Sequence, residues 1–211
     1  MRSLPGPAIA PVVLLALLTG CAGGGPVASV TGRDDDGMNG AVLVDKYVVP
    51  PDPLVDTTGA PYSLVADTDR PLTLVFFGYT HCPDICQLVM ANLASALTRL
   101  SDEQRAQVDV VLVTTDPARD DGPALRDYLD RFDPSFIGLT GDLDTIAGLG
   151  RALGVYVAEG EKLPSGGYEV DHGTAVIAID DTDRTPVVWT QGTSAAALAE
   201  DIATLLNKDG S

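Results

Sequence analysis

Basic side chains are scarce in this chain: 13 lysines and arginines stand against 30 aspartates and glutamates, for a net charge of −17. No basic stripe is available to neutralise phosphates, which excludes nucleic acid as a partner. The same imbalance disfavours electrostatic docking on anionic lipid. Histidine is nearly missing, so a site that needs an imidazole must choose between His81 and His172. Cysteines number three, and an odd count cannot pair completely within one chain. The longest mostly apolar stretch, Pro5 to Leu18, carries Pro7 and Pro11 and is too short for a comfortable bilayer-spanning helix. What is present is enough apolar material, 45% of residues, to bury a core, so wholesale disorder is excluded. At 211 residues the expectation is one domain of ordinary size plus extra sequence.

The extra sequence lies at the start. Arg2, the apolar stretch and a small-residue exit describe a secretory signal peptide over residues 1–20. The exit, Leu18-Thr19-Gly20-Cys21, resembles the bacterial lipobox, in which the cysteine is diacylated and becomes the first mature residue. Two acyl chains on one residue give stable attachment where a single chain is marginal. Residues 21–40, with Gly23 to Gly25 and Arg33-Asp34-Asp35-Asp36, show no hydrophobic period and read as a lipidated flexible tether. The domain is therefore expected on the extracytoplasmic side of the cell membrane, lipid-anchored, where disulfides can form.

Residues 41–207 alternate β-branched runs with helical patterns, and 208–211 form a short tail. Val42 to Val49 and Leu54-Val55, separated by prolines, suggest an edge hairpin ahead of the core. Thr73 to Phe77 is a continuous apolar run, as expected of a strand buried on both faces. After it, Val89, Leu93, Leu97 and Leu100 share one face of a helix spanning Asp84 to Leu100. Further strands are expected at Val108–Val113, Val155–Val157, Ala175–Ile179 and Val187–Trp189. Further helices are expected at Gly122–Phe132, Leu143–Leu153 and Ser194–Leu206, the last with Ser194 as N-cap. Such alternation, closed by two strands near in sequence, implies an α/β sandwich that is parallel in part with an antiparallel edge.

The chemistry concentrates in Gly78-Tyr79-Thr80-His81-Cys82-Pro83-Asp84-Ile85-Cys86, directly after the first central strand. Pro83 suits a first helical turn, which puts Cys82 at the helix N-terminus and Cys86 in its first turn. There, backbone N–H groups and the helix dipole are expected to lower a thiol pKa. Four residues apart, both sulfurs would project to one side, able to close a small disulfide or grip a soft metal ion. Three intervening residues instead of two make a plain thioredoxin motif a poor match. Two thiolates leave a metal under-coordinated, and His81 is too close to Cys82 for both to ligate one ion easily. His172, in a turn leading into the strand at Ala175, is the other candidate. Two thiolates and an imidazole suit copper, Cu(I) above all, with zinc as the competitor.

The block from Phe77 to Cys86 resembles the signature of the Sco/SenC copper chaperones. Thr114-Thr115-Asp116-Pro117-Ala118-Arg119-Asp120, Phe136-Ile137-Gly138-Leu139-Thr140-Gly141 and Asp171-His172 follow in the family's order. Gln87 departs from it, standing where the family commonly has proline. The resemblance implies a thioredoxin-like sandwich with a central mixed sheet, flanking helices and an N-terminal β-hairpin. It implies one copper ion, Cu(I) or Cu(II), held by Cys82, Cys86 and His172. Cys82 and Cys86 would also form a redox disulfide, Asp171 would orient His172, and the Asp116 loop would flank the site. The implied role is to deliver copper to the binuclear copper site of cytochrome c oxidase, or to reduce that site's cysteines. Further partners would be a thiol reductase or another copper chaperone. Arg119 and Asp120 read as solvated charge or a loop salt bridge.

Three other readings use the same cysteines, one of them a copper-buffering or redox-sensing module with no oxidase client. A metal-independent thiol-disulfide oxidoreductase would not need His172. A thiol peroxidase expects Thr or Ser three residues before its cysteine, and Thr80 is two before Cys82.

Overall fold

The computed structural model describes residues 37–68, 70–162 and 168–209, and residues 159–162, 168–172 and 208–209 by their backbone alone. The signal peptide, Cys21 and most of the tether lie outside the described residues.

The centre of the molecule is β4 (Leu72–Gly78), every residue of which is buried. It pairs in parallel with β5 (Val108–Thr114), from Leu72 opposite Val108 to Gly78 opposite Thr114. On its other side it pairs antiparallel with β9 (Val176–Asp180), Phe76 facing Val176. Outward from β5 come β6 (Ile137–Thr140), parallel, then β2 (Leu54–Asp56) and β3 (Pro61–Tyr62), antiparallel. Outward from β9 come β10 (Val187–Trp189) and β1 (Ala41–Val42). The mixed sheet with an antiparallel side agrees with the expectation from sequence.

Alternation along the strands sends Leu72, Leu74 and Phe76 to one face and Val75 and Phe77 to the other. The first face is covered by α1 (Ile85–Leu97), α3 (Gly122–Leu129) and α5 (Ala195–Asp209). The second is covered by α4 (Leu143–Ala152) and the chain before β4. Helix starts follow side-chain caps: Asp121 accepts from the Ala124 N–H at 2.9 Å and Ser194 from the Ala197 N–H at 3.2 Å. A one-turn helix that the pattern does not suggest, α2 (Asp102–Arg105), is held by a Ser101–Gln104 capping box.

Three features differ from the sequence reading. The hairpin near the N-terminus is β2–β3, closed by the Asp56 carboxylate accepting from the Thr58 N–H at 2.8 Å and by Gly59 at φ +88°. Val42, in the edge strand β1, and Leu54, in β2 next to the other edge, sit on opposite sides of the sheet, and Pro50, Pro51 and Pro53 offer no N–H for pairing across the stretch between them. Helix α1 begins at Ile85, so Cys82 precedes it. Lastly, the short strand expected at Val155 is β7 (Val157–Lys162), paired with β8 (Tyr168–His172) in a separate hairpin. His172 therefore ends a strand, opposite Val157, where a turn was expected.

Candidate functional site

Because β4 and β5 run parallel and in register, the loops that leave Gly78 and Thr114 emerge together at one end of the sheet. Antiparallel β9 enters at that same end, since its first residue, Val176, faces Phe76. The backbone of Gly173, immediately after His172, is tied to Tyr156 by an N–H to carbonyl bond of 3.1 Å. Topology thus brings the cysteine loop, the Asp116 loop and the base of the β7–β8 hairpin to one end of the fold. Crevices outside the carboxyl ends of parallel strands are the usual ligand sites of such sheets.

The cysteine loop turns at once, with the Cys82 N–H donating to the Tyr79 carbonyl at 3.2 Å. The Asp84 side chain makes no capping bond to α1. Cys82 Sγ instead accepts from the Cys86 N–H at 3.4 Å, so a sulfur takes one of the otherwise orphaned N–H groups of the first turn. Both cysteines are thiols, and both are buried. Burial, and then a hydrogen bond to Cys82, push the Cys86 thiol well above the ordinary range. That corrects the expectation of a lowered pKa for this residue: it lies deep in the core, where the cost of an uncompensated charge exceeds what the helix end supplies. Gly78 makes the close approach possible, because a Cβ there would lie 3.1 Å from Cys86 Sγ and 2.7 Å from the Phe76 ring.

Asp120 fastens the two loops together. It is fully buried and accepts from the Thr80 N–H at 2.9 Å, the Thr80 hydroxyl at 2.6 Å and the Thr114 hydroxyl at 2.7 Å. His81 Nδ1 lies 3.7 Å from the same carboxylate and 2.9 Å from Thr80 Oγ1, with the ring largely exposed. Asp120 is therefore not the solvated charge that its loop position suggests: three donors from two strand ends keep a carboxylate inside. Asp116, also buried, pairs with Arg119, whose guanidinium stands 5.9 Å from the centre of the Tyr79 ring. The pair is the loop salt bridge anticipated for Arg119. Tyr79, next to the loop, has its hydroxyl pKa raised by burial and then by the neighbouring cysteines.

Sequence reasoning passes over Thr80, Thr114 and Tyr128 as site residues. The Tyr128 hydroxyl, on α3, is buried with no hydrogen-bond partner among the described residues. Its ring packs edge-on to Phe132 at 5.2 Å between centroids, inside the core cluster that holds both cysteines. A threonine at each strand end and an Asp six residues after Thr114 are visible signals. No pattern in the sequence places Tyr128. For Asp171 and His172 the structure fixes the backbone position only, opposite Ala158 and Val157. Among the described side chains, to which the His172 ring does not belong, no three or more of His, Cys, Asp and Glu gather as a metal site.

A family model described as SCO1/SenC matches residues 45–207. This chain belongs to the SCO1/SenC family. Among its relatives is the mitochondrial SCO2 homologue of Mus musculus, 33% identical over 150 residues covering 71% of this chain and 58% of that protein. The mitochondrial SCO1 homologue 1 of Arabidopsis thaliana is 36% identical over 123 residues, 54% of this chain and 36% of that protein. The match thus spans about a third to three fifths of these relatives' own length. The fold superposes on Arabidopsis thaliana ScoI with copper bound at a TM-score of 0.70 and 25% identity, covering 76% of this chain and 99% of that one. Bradyrhizobium japonicum ScoI with copper bound gives 0.66 and 28%, covering 75% and 99%. The thioredoxin-like architecture expected for the family is the one this chain adopts.

Proposed function

We propose that this member of the SCO1/SenC family binds copper through Cys82, Cys86 and His172. The observation that carries the reading is the pair of buried thiols at the mouth of the parallel strands, where the backbone of His172 also arrives. The donor set fits the ion: two sulfurs and one imidazole are soft-to-intermediate ligands that favour Cu(I). Copper-bound relatives of the same fold support it. The chain's own residues supply a closed frame. Asp120 and its threonines hold the cysteine loop against the Asp116 loop, while α1 and Gly78 keep Cys86 Sγ at the core side of the loop.

The client in this reading is the copper-site subunit of cytochrome c oxidase, met outside the cytoplasm by a domain tethered through acylated Cys21. Transfer proceeds by exchange of ligands with a partner's cysteines. Redox state gates loading: when Cys82 and Cys86 reduce a partner's disulfide they give up two electrons and two protons, form a disulfide, and no longer offer thiolates. The metal-independent reductase remains the second reading, favoured by the contact between the two thiols. Asp171 as the group orienting His172, and the Asp116 loop as a flank of the site, belong to the same proposal.

Copper titration of the reduced full chain, with and without Cys82→Ser, Cys86→Ser and His172→Ala, tests the ligands. One ion per chain is expected, with each variant losing at least about tenfold in affinity, the equivalent of one good ligand interaction. Tight binding retained in the His172 variant would sink the three-ligand site. In a deletion strain, oxidase activity rescued by added copper supports delivery, and unchanged oxidase activity removes the client.

A further inference from the structure

The strand order also sorts the charges. β6 runs parallel to β5, so Asp142 and Asp144, just past its exit, lie at the cysteine end. β2 is antiparallel to β6 and enters from that same end, which brings Asp52 there. Asp84 stands in the cysteine loop itself. All of these carboxylates are exposed, and none takes part in an ion pair among the described residues. The cationic groups near them already face buried acids: Arg119 pairs with Asp116, and His81 lies 3.7 Å from Asp120. At the opposite end, where β4 and β5 begin, the signs mix. Lys46 bonds Asp180 at 2.8 Å, across from Leu72, and Arg70 lies 3.3 Å from Asp109. Arg105, on the helix leading into β5, pairs with Asp133, and Arg184 sits in the turn after β9. The reactive end is thus uncompensated carboxylate, and these basic side chains stand a strand's length behind it, about 20 Å.

The same end also shows apolar surface. Tyr156 is 65% exposed, and its carbonyl accepts from the Gly173 N–H, next to His172. Leu88, 50% exposed, follows Cys86 by two residues on α1. Helix α1 covers the first face of the sheet, whereas Val155 and Val157, on either side of Tyr156, pack on the second. The two exposed side chains therefore bracket the cysteine loop. Exposed apolar groups within a charged rim are the composition of a protein docking patch. Resting on the reading of Cys82 and Cys86 as the reacting groups, we propose that this end docks a partner protein whose own cysteine site is ringed by lysines and arginines. Tyr156 and Leu88 supply the apolar contacts, and Asp52, Asp84, Asp142 and Asp144 supply the field that draws the partner in and orients it. An acidic partner, or the same face of a second copy of this chain, meets like charge here.

Two synthetic peptides test this, alike except that a disulfide-bonded cysteine pair is flanked by lysines in one and by glutamates in the other. The reduced full chain passes two electrons and two protons to the peptide, becomes the Cys82–Cys86 disulfide and releases the peptide's two thiols. Rates are read by acid quench and chromatography. At about 10 mM salt the lysine peptide reacts at least about tenfold faster, and the ratio falls towards one at about 1 M. Asp84→Lys combined with Asp142→Lys collapses the ratio. Asp181→Lys combined with Glu103→Lys, exposed positions at the opposite end, changes net charge equally and leaves most of the ratio. Taking the ratio within one protein cancels any change in cysteine reactivity. Tyr156→Ser slows both peptides alike, and unchanged rates would remove Tyr156 from the face. Equal rates for the two peptides at low salt overturn the proposal, as does an equal fall in the ratio for both double variants. No metal is needed, so failure of the copper reading leaves the test standing. Should the chain reduce neither peptide, the redox half of the proposed function fails, and amide NMR shifts decide docking. The lysine peptide must then move the signals of Thr80, Asp84 and Leu88 at low salt, and unmoved signals overturn the proposal.

Discussion

Replacing Asp120 with alanine should loosen the cysteine loop more than any other single change outside the cysteines. The carboxylate is fully buried and serves three donors: the Thr80 N–H, the Thr80 hydroxyl and the Thr114 hydroxyl. Alanine would leave all three without their acceptor in the interior. At about 1–3 kcal/mol for each stranded group, reduced because the hydroxyls can rotate and water can enter the void, the loss comes to about 3–5 kcal/mol. For a domain of this size, about 2–4 °C per kcal/mol converts that into a drop of roughly 6–20 °C in thermal midpoint. Asparagine at the same position behaves differently. Its carbonyl oxygen can sit where Oδ2 accepts from the Thr80 N–H and the Thr114 hydroxyl. Its NH₂ can donate to Thr80 Oγ1, whose hydroxyl then turns to His81 Nδ1, 2.9 Å away. Asp120→Asn should therefore cost about 1–2 kcal/mol, chiefly the charge assistance. Differential scanning calorimetry on both variants checks the order, and hydrogen exchange at Thr80 and Cys82 checks the location. Equal losses for the alanine and asparagine variants would refute the hydrogen-bond reasoning and leave packing as the cause.

Gly78→Ala should shift Cys86 and weaken thiol-dependent metal binding, since the new methyl meets the Phe76 ring at 2.7 Å and Cys86 Sγ at 3.1 Å; chelator competition reads the loss. Asp201, buried, accepts from the Trp189 indole at 2.7 Å, the Gly40 N–H at 2.8 Å and the Asn39 N–H at 2.9 Å, so it closes the start of the domain onto α5. Asp201→Ala should cost about 3 kcal/mol or more and red-shift emission from the chain's one tryptophan, with faster proteolysis near residue 40. Leu93, wholly buried on α1, should cost about 2–5 kcal/mol as alanine in chemical denaturation. Asp180 supplies a pH dependence: burial raises its pKa, but hydrogen bonds from Lys46 and Thr182 outweigh burial and hold it below the usual carboxylate range in the folded state. A carboxyl more acidic folded than unfolded stabilises above its unfolded pKa, and that stability is lost as pH falls through the folded value. Asp180→Asn should flatten the acid limb of the stability curve, and a limb of wild-type steepness would count against the assignment.

Most of the sheet was legible because buried strands and amphipathic helices write themselves into the chain as runs and periods. Thr73 to Phe77 marks β4, and the spacing of Val89, Leu93 and Leu97 marks α1. Pairing partners were less legible. Val42 and Leu54 look alike locally, and only the completed sheet assigns them to opposite sides of it. The β7–β8 hairpin carries no strand signature, because Val157 to Lys162 contains Glu159, Gly160 and Glu161, with no alternation to mark a strand. In the site, the cysteines and Asp116 announce themselves by motif. Asp120 does not, because an aspartate on a loop reads as solvated until the fold brings Thr80 and Thr114 to it across two strands.

Burial explains why the Cys86 thiol departs from the sequence expectation. A helix N-terminus acts through a few partial charges over one turn, worth up to about 2 kcal/mol in favourable sites. Removing a thiolate from water costs several times that unless donors meet it. Sequence displays the helix start, because Pro83 and the apolar period mark it, but it does not display depth. Depth comes from α3 and α5 closing over α1, which are contacts between segments far apart in the chain. The same closure buries Tyr128 in the cluster that holds the pair. A cysteine motif therefore states which atoms can react, and the distant helices decide at what cost each sulfur carries its charge.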